Sequence, residues 1–143
     1  MDFKEVLQKI VNLSTEAKLK MAVDSYVELL PVLATIDSEN NGAALVCGII
    51  GSAVGADGKI SPEENAFVKA LFKAHKVELS DDQVKQLVNK HSGDDWRSLV
   101  AKLAGALPAE SKAHLALLCA AICAIDDTIT KEEAQYLAGI FTA

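Results

Sequence analysis

Basic residues are scarce in this 143-residue chain: 14 Lys and Arg stand against 20 Asp and Glu, a formal net charge of −6. With no cationic excess to neutralise phosphates, the composition argues against nucleic-acid partners and against an anionic membrane surface. Aromatics are few, one Trp, two Tyr and four Phe, so the core must be built from Ala, Leu, Val and Ile. The longest low-charge runs, 43–56 and 115–125, fall short of the roughly 20 residues that span a bilayer, and no direct membrane insertion is expected. The start of the chain mixes charges around Phe3 and has no apolar signal core, so a soluble, cytoplasmic protein is expected.

Catalytic equipment is also missing. Cys47, Cys119 and Cys123 are odd in number and sit inside apolar runs. Cys119 and Cys123 are four apart, yet no His or further Cys stands at zinc-ligand spacing, which favours buried thiols acting as small hydrophobes. His75, His91 and His114 fall on separate elements and form no triad. Lys59 follows Gly58, but Ile60 stands where a phosphate loop needs Ser or Thr, and Ala53 where it needs glycine. No catalytic residue and no cofactor-binding loop is assigned, and the chain is not expected to be an enzyme.

What is present is helical punctuation. Residues 1–143 are of single-domain length, with no low-complexity linker and no alternating stretch long enough for a sheet. An all-α, compact bundle of seven to eight helices is predicted. Asp2 and Glu5 form a capping box before a helix carrying Phe3, Val6, Leu7, Ile10 and Leu13. A second helix, from about Glu16 or Lys18, should bury Leu19, Val23, Tyr26, Val27 and Leu30, with Pro31 perturbing its continuation. Ser38 is the expected cap of the third. Ser61 caps the fourth, with Pro62 at its first position, and Ser80 with Gln83 starts the fifth. The sixth spans about 94–106 around Trp96, Leu99, Val100, Leu103 and Leu107. Pro108 opens the seventh, and Thr130 with Glu133 caps the last. Gly48, Gly51 and Gly55 inside the third helix each cost about 1 kcal/mol relative to Ala, so a close approach is expected there, with the seventh helix as the predicted neighbour.

The most informative pattern is a repeat. Asp57–Glu64 recurs 69 positions later as Asp126–Glu133, each copy after an apolar run and before a short amphipathic helix. Ile60 matches Ile129, Ser61 matches Thr130, Glu63 matches Glu132 and Glu64 matches Glu133. Phe67, Leu71 and Phe72 match Tyr136, Ile140 and Phe141. Two related segments, about 45–76 and 114–143, imply two pseudo-symmetric halves.

Aligned to an EF-hand loop, Asp57, Gly58, Ile60 and Glu64 fit, but the early ligand positions hold Ala53 and Gly55, or Ile122 and Ala124 in the second copy, and Asp127 replaces the sharp-turn glycine. Calcium takes about six to eight oxygens, so an EF-hand is rejected. Two readings of the residues stand. In one, the acidic residues are helix caps and first-turn charges that favour the dipole. In the other, a pseudo-two-fold axis joins Asp57, Glu63, Glu64, Asp126, Asp127, Glu132 and Glu133 into one patch able to hold a divalent metal, Ca²⁺ or similar.

The apolar helix followed by Ala56–Glu64, echoed by Ile125–Glu133, resembles the TerB-like tellurite-resistance family. It is similar also to the amino-terminal domain of membrane-anchored DnaJ-like co-chaperones. The resemblance covers the chain in length and helix count, its specific part being the two acidic turns. It implies an all-helical fold of two related halves, a bacterial stress-response role without enzymatic activity, and metal binding by Asp57, Glu64, Asp126 and Glu133, with Glu63 and Glu132 as neighbours. Protein partners are then expected, with ion occupancy changing partner docking or the membrane association of a complex. The competing expectation is a metal-independent protein–protein interaction module whose acidic surface meets a basic partner, with Tyr26, Trp96 and Tyr136 as candidate anchors, although aromatics at helical spacing are more often core residues.

Overall fold

The structure is a computed structural model and describes residues 3–36, 42–57, 60–126 and 129–141, with the side chains of Phe3 and Asp57 outside the described set. Among the described residues the regular structure is helical throughout: α1 (Phe3–Val11), α2 (Thr15–Ile36), α3 (Ala43–Val54), α4 (Pro62–Ala74), α5 (Asp81–His91), α6 (Asp94–Ala106), α7 (Ala109–Cys123) and α8 (Lys131–Phe141), with one 3₁₀ turn at Gly55–Asp57. No described helix is long and apolar enough to cross a membrane.

The caps form as the sequence predicts. Ser61 Oγ accepts from the Glu64 amide while Glu64 returns a bond to the Ser61 amide, and Pro62 begins α4. Ser80 and Gln83 do the same for α5, and Thr130 with Glu133 for α8. The α1 cap at Asp2 lies outside the described residues. The expected α3 cap, Ser38, lies outside them too; α3 starts at Ala43 behind Gly42, whose φ of 80° is left-handed.

Pro31 does not end α2, which runs unbroken to Ile36. The helix is rotated from its expected face. Ala22, Ser25, Tyr26, Leu29 and Leu33 are buried together with Lys18, whereas Leu19, Val23 and Leu30 are half-buried and Val27 is 53% exposed. Apolar residues almost all round α2 made its inward face ambiguous, and the position of a lysine decided it against intuition. In α6 Val100 and Ala104 face the core, and Leu99 is exposed.

Packing is dominated by elements distant in the chain. α2 lies along α7 over the largest of the helix interfaces, α5 lies along α3, and α3 also touches α7. The long buried stretches of α3 and α7 form the centre. The α3 glycines serve a different neighbour from the expected one: they admit α5 and α6, not α7. A Cβ at Gly48 would lie 2.1 Å from the Trp96 ring, one at Gly51 would lie 2.8 Å from the Leu87 carbonyl oxygen, and one at Gly55 would lie 2.6 Å from Ser92 Cβ.

Candidate functional site

Each apolar helix ends just before an acidic turn, and each end is held by a cation from a distant helix. The last carbonyls of a helix have no intrahelical donor. At the end of α7, Lys18 of α2 supplies one: its fully buried Nζ donates to the Ala124 carbonyl at 2.8 Å. After α3, Arg97 of α6 donates from Nη2 to the Ala56 carbonyl, also at 2.8 Å. Cations at helix C-termini are favoured by the dipole as well. The sequence reading missed both residues. Lys18 and Arg97 each stand four residues after a helix-opening residue, Ser14 and Gly93, whose carbonyls accept their amides, but that position gives no sign of a distant carbonyl partner.

From these anchored ends the chain enters the turns, and the turns meet. Ser61 Oγ, already accepting from the Glu64 amide at 3.0 Å, donates to the Asp126 carboxylate, 3.0 Å from Oδ1 and 3.3 Å from Oδ2. One hydroxyl thus caps α4 and ties the first acidic turn to the second. Glu64 Oε1 accepts from the Ser61 amide at 2.9 Å, and Glu133 Oε1 from the Thr130 amide at 2.9 Å. Both glutamates are buried, while Glu63, Glu132 and Asp126 are exposed. Glu63 and Glu132 occupy first-turn positions of α4 and α8, where negative charge favours the helix dipole. The Asp57 side chain and Asp127 lie outside the described residues.

The donors here are oxygens only, which suits a hard cation. Among the described residues no three His, Cys, Asp or Glu side chains converge as a metal-ligand group. A complete site would therefore require Asp57 and Asp127 in addition to Asp126.

Replacing Ser61 by alanine removes the α4 cap and the cross-turn bond together. Loss of a serine cap typically costs about 1–2 kcal/mol, and the Asp126 bond adds little because it is exposed. We expect Ser61→Ala to lose about 1–2 kcal/mol in urea unfolding; a change below about 0.5 kcal/mol would show that the node carries no stability.

Behind the turns lies an enclosed polar chain. Ser52 Oγ donates to the Ile49 carbonyl at 2.9 Å, so the 2.6 Å contact with Tyr136 runs from the phenol to the serine. Burial pushes the Tyr136 phenol well above its ordinary value and the Cys119 thiol up to about 12. Cys119 and Cys123 are buried, inert thiols, as expected. Cys47 differs: it is half-buried. Tyr26 and Tyr136 are core residues, which removes them as surface anchors, and Trp96 is half-buried over Gly48.

No family model matches the chain, and no curated protein and no solved structure is significantly similar to it.

Proposed function

We propose that this chain is a non-enzymatic, TerB-like accessory protein of a bacterial stress system, made of two related halves whose acidic turns together hold a hard divalent cation and whose surface docks protein partners. The observation that carries the reading is the Ser61–Asp126 hydrogen bond, which places the two copies of the repeated turn side by side. A second pairing supports the relation between halves: Lys18 reaches from the first half to the end of α7, and Arg97 from the second to the end of α3. Asp57, Glu64, Asp126 and Glu133 would hold the ion, with Glu63, Asp127 and Glu132 adding negative charge. Ca²⁺ suits such a carboxylate set, and its binding would stiffen the junction through which partners are sensed.

A metal-independent interaction module is the second reading, favoured by one specific feature. Glu64 and Glu133 each already commit an oxygen to a cap, and Ser61 joins the turns without an ion. Calorimetric titration of chelator-stripped protein with Ca²⁺ and Mg²⁺, beside the Asp57→Asn/Asp126→Asn variant, separates the two. Micromolar Ca²⁺ binding lost in the variant is expected. A folded protein that takes up no cation would leave the interaction module, whose partner capture should be sensitive to salt and indifferent to chelator.

A further inference from the structure

A cleft of about 550 Å³ lies between α3, α5 and the start of α6, away from the acidic turns. Its size falls in the usual range for small-molecule sites, about 300–1,000 Å³. The α3 glycines shape it. Because Gly48 and Gly51 have no side chains, the Trp96 ring and His91 settle against the α3 backbone, with the two rings edge to face at 4.6 Å. The result is an aromatic wall beside Ala44, Cys47, Leu87 and Lys90.

Three features define what this cleft would accept. First, His91 is only 5% exposed, and its Nδ1 lies 2.7 Å from the Leu87 carbonyl. A carbonyl can only accept, so Nδ1 carries a proton, and in the neutral imidazole Nε2 is then the acceptor. Nε2 has no hydrogen-bond partner among the described residues. Nδ1 and Cβ face Gly51, which leaves the Nε2 edge on the cleft side. Second, no acidic residue is found among the described residues that line the cleft, although the chain carries a net charge of −6. Burial pushes the Cys47 thiol up, with Lys90 opposing, so the thiol adds no charge. Lys90 is exposed and forms no ion pair among the described residues. Third, the rest of the lining is mixed: Ala43, Ala44, Leu87 and the Trp96 ring are apolar, and the Gln83 and Gln86 amides add neutral polar groups.

We propose that this cleft binds a small planar aromatic anion that carries a hydrogen-bond donor, its ring against Trp96, its donor on His91 Nε2 and its anionic group toward Lys90. This site is independent of the acidic turns and of any cation held there.

Trp96 is the only tryptophan in the chain, so its fluorescence reports the cleft directly. The probe is 4-hydroxybenzoate, titrated into the full chain with excitation of Trp96. Saturable quenching is expected. Ala44→Phe, a substitution at an exposed position that fills the cleft, should abolish it while leaving the circular-dichroism melt in place. Lys90→Met, and separately the neutral probe 4-hydroxybenzamide, should each weaken binding about tenfold, the effect of roughly 1.4 kcal/mol. 4-Methoxybenzoate, which lacks the donor, should weaken it similarly. Absence of saturable quenching, or quenching that Ala44→Phe leaves unchanged, would overturn the proposal. Equal affinity for the charged and neutral probes would overturn its anionic part.

Discussion

Lys18→Ala is expected to cost about 3–5 kcal/mol of unfolding free energy, a large share of the stability of a domain this size. Two losses combine. The fully buried Ala124 carbonyl is deprived of its ammonium donor, and a buried acceptor losing a partner typically costs about 1–3 kcal/mol. The four-carbon stem of Lys18 also leaves a void against α7, and removing a long buried side chain costs about 2–5 kcal/mol, with partial overlap between the two terms. Lys18→Met separates them. It fills most of the space and gives up only the donor, so a loss of about 1–3 kcal/mol is expected. Urea unfolding followed by circular dichroism and by Trp96 fluorescence measures both. An alanine variant within about 1 kcal/mol of the parent would mean that Lys18 is merely tolerated in the core.

Gly51→Ala should be the second large effect, and its sign is opposite to that of helix propensity. Alanine gains about 1 kcal/mol over glycine inside a helix. At Gly51 the new Cβ would lie 2.8 Å from the Leu87 carbonyl oxygen and 2.9 Å from His91 Cβ. Neither atom is the far end of a flexible side chain, so α5 as a body must move outward from α3. Overpacking of this kind costs about 1–3 kcal/mol, occasionally more, and we expect a net loss near the upper end, about 2–3 kcal/mol. Gly48→Ala should behave similarly through Trp96, with an altered Trp96 emission spectrum. Gly139 in α8 provides the control, because no described atom lies within 4 Å of its absent Cβ. Gly139→Ala should stabilise by about 0.5–1 kcal/mol. Stabilisation by Gly51→Ala as well would mean that the α3–α5 contact is loose.

These two sites also mark the boundary of what the sequence discloses. Helix starts were legible because capping is local: Ser61, Ser80 and Thr130 each satisfy an amide three residues on, and the motif spans four letters. The glycines of α3 declared that something approaches closely, since three helix-weakening residues need a reason. They could not declare what approaches, because any helix leaves the same imprint, and α7 was the wrong choice. Lys18 was invisible for the complementary reason. It reaches a backbone carbonyl 106 residues away, and a carbonyl has no letter of its own. Pro31 was read by its usual local effect, yet α2 continues through it, buried on both sides of the proline at Leu29 and Leu33.

The acidic site was legible to the same degree. The repeat identified which carboxylates to consider, and the two buried glutamates are where their capping boxes put them. That Ser61 reaches across to Asp126 depends on how α4 and α7 sit in three dimensions, which no pairwise spacing encodes. The repeat was found at its acidic turns, where residue types coincide.

The pairing of α2 with α7 has a consequence for how the protein comes into being. During synthesis α2 leaves the ribosome long before the residues of α7 exist, and α3 likewise waits for α5. Until then Leu29 and Leu33 of α2 have no permanent cover, so the growing chain is a client for whatever shields nascent apolar surface. Contacts so distant in sequence must close large loops before they are rewarded, which makes folding slow for a helical protein of this length. Once formed, the same interleaving ties α2 to α7 and α3 to α5, so neither pair should come apart while the rest stays folded.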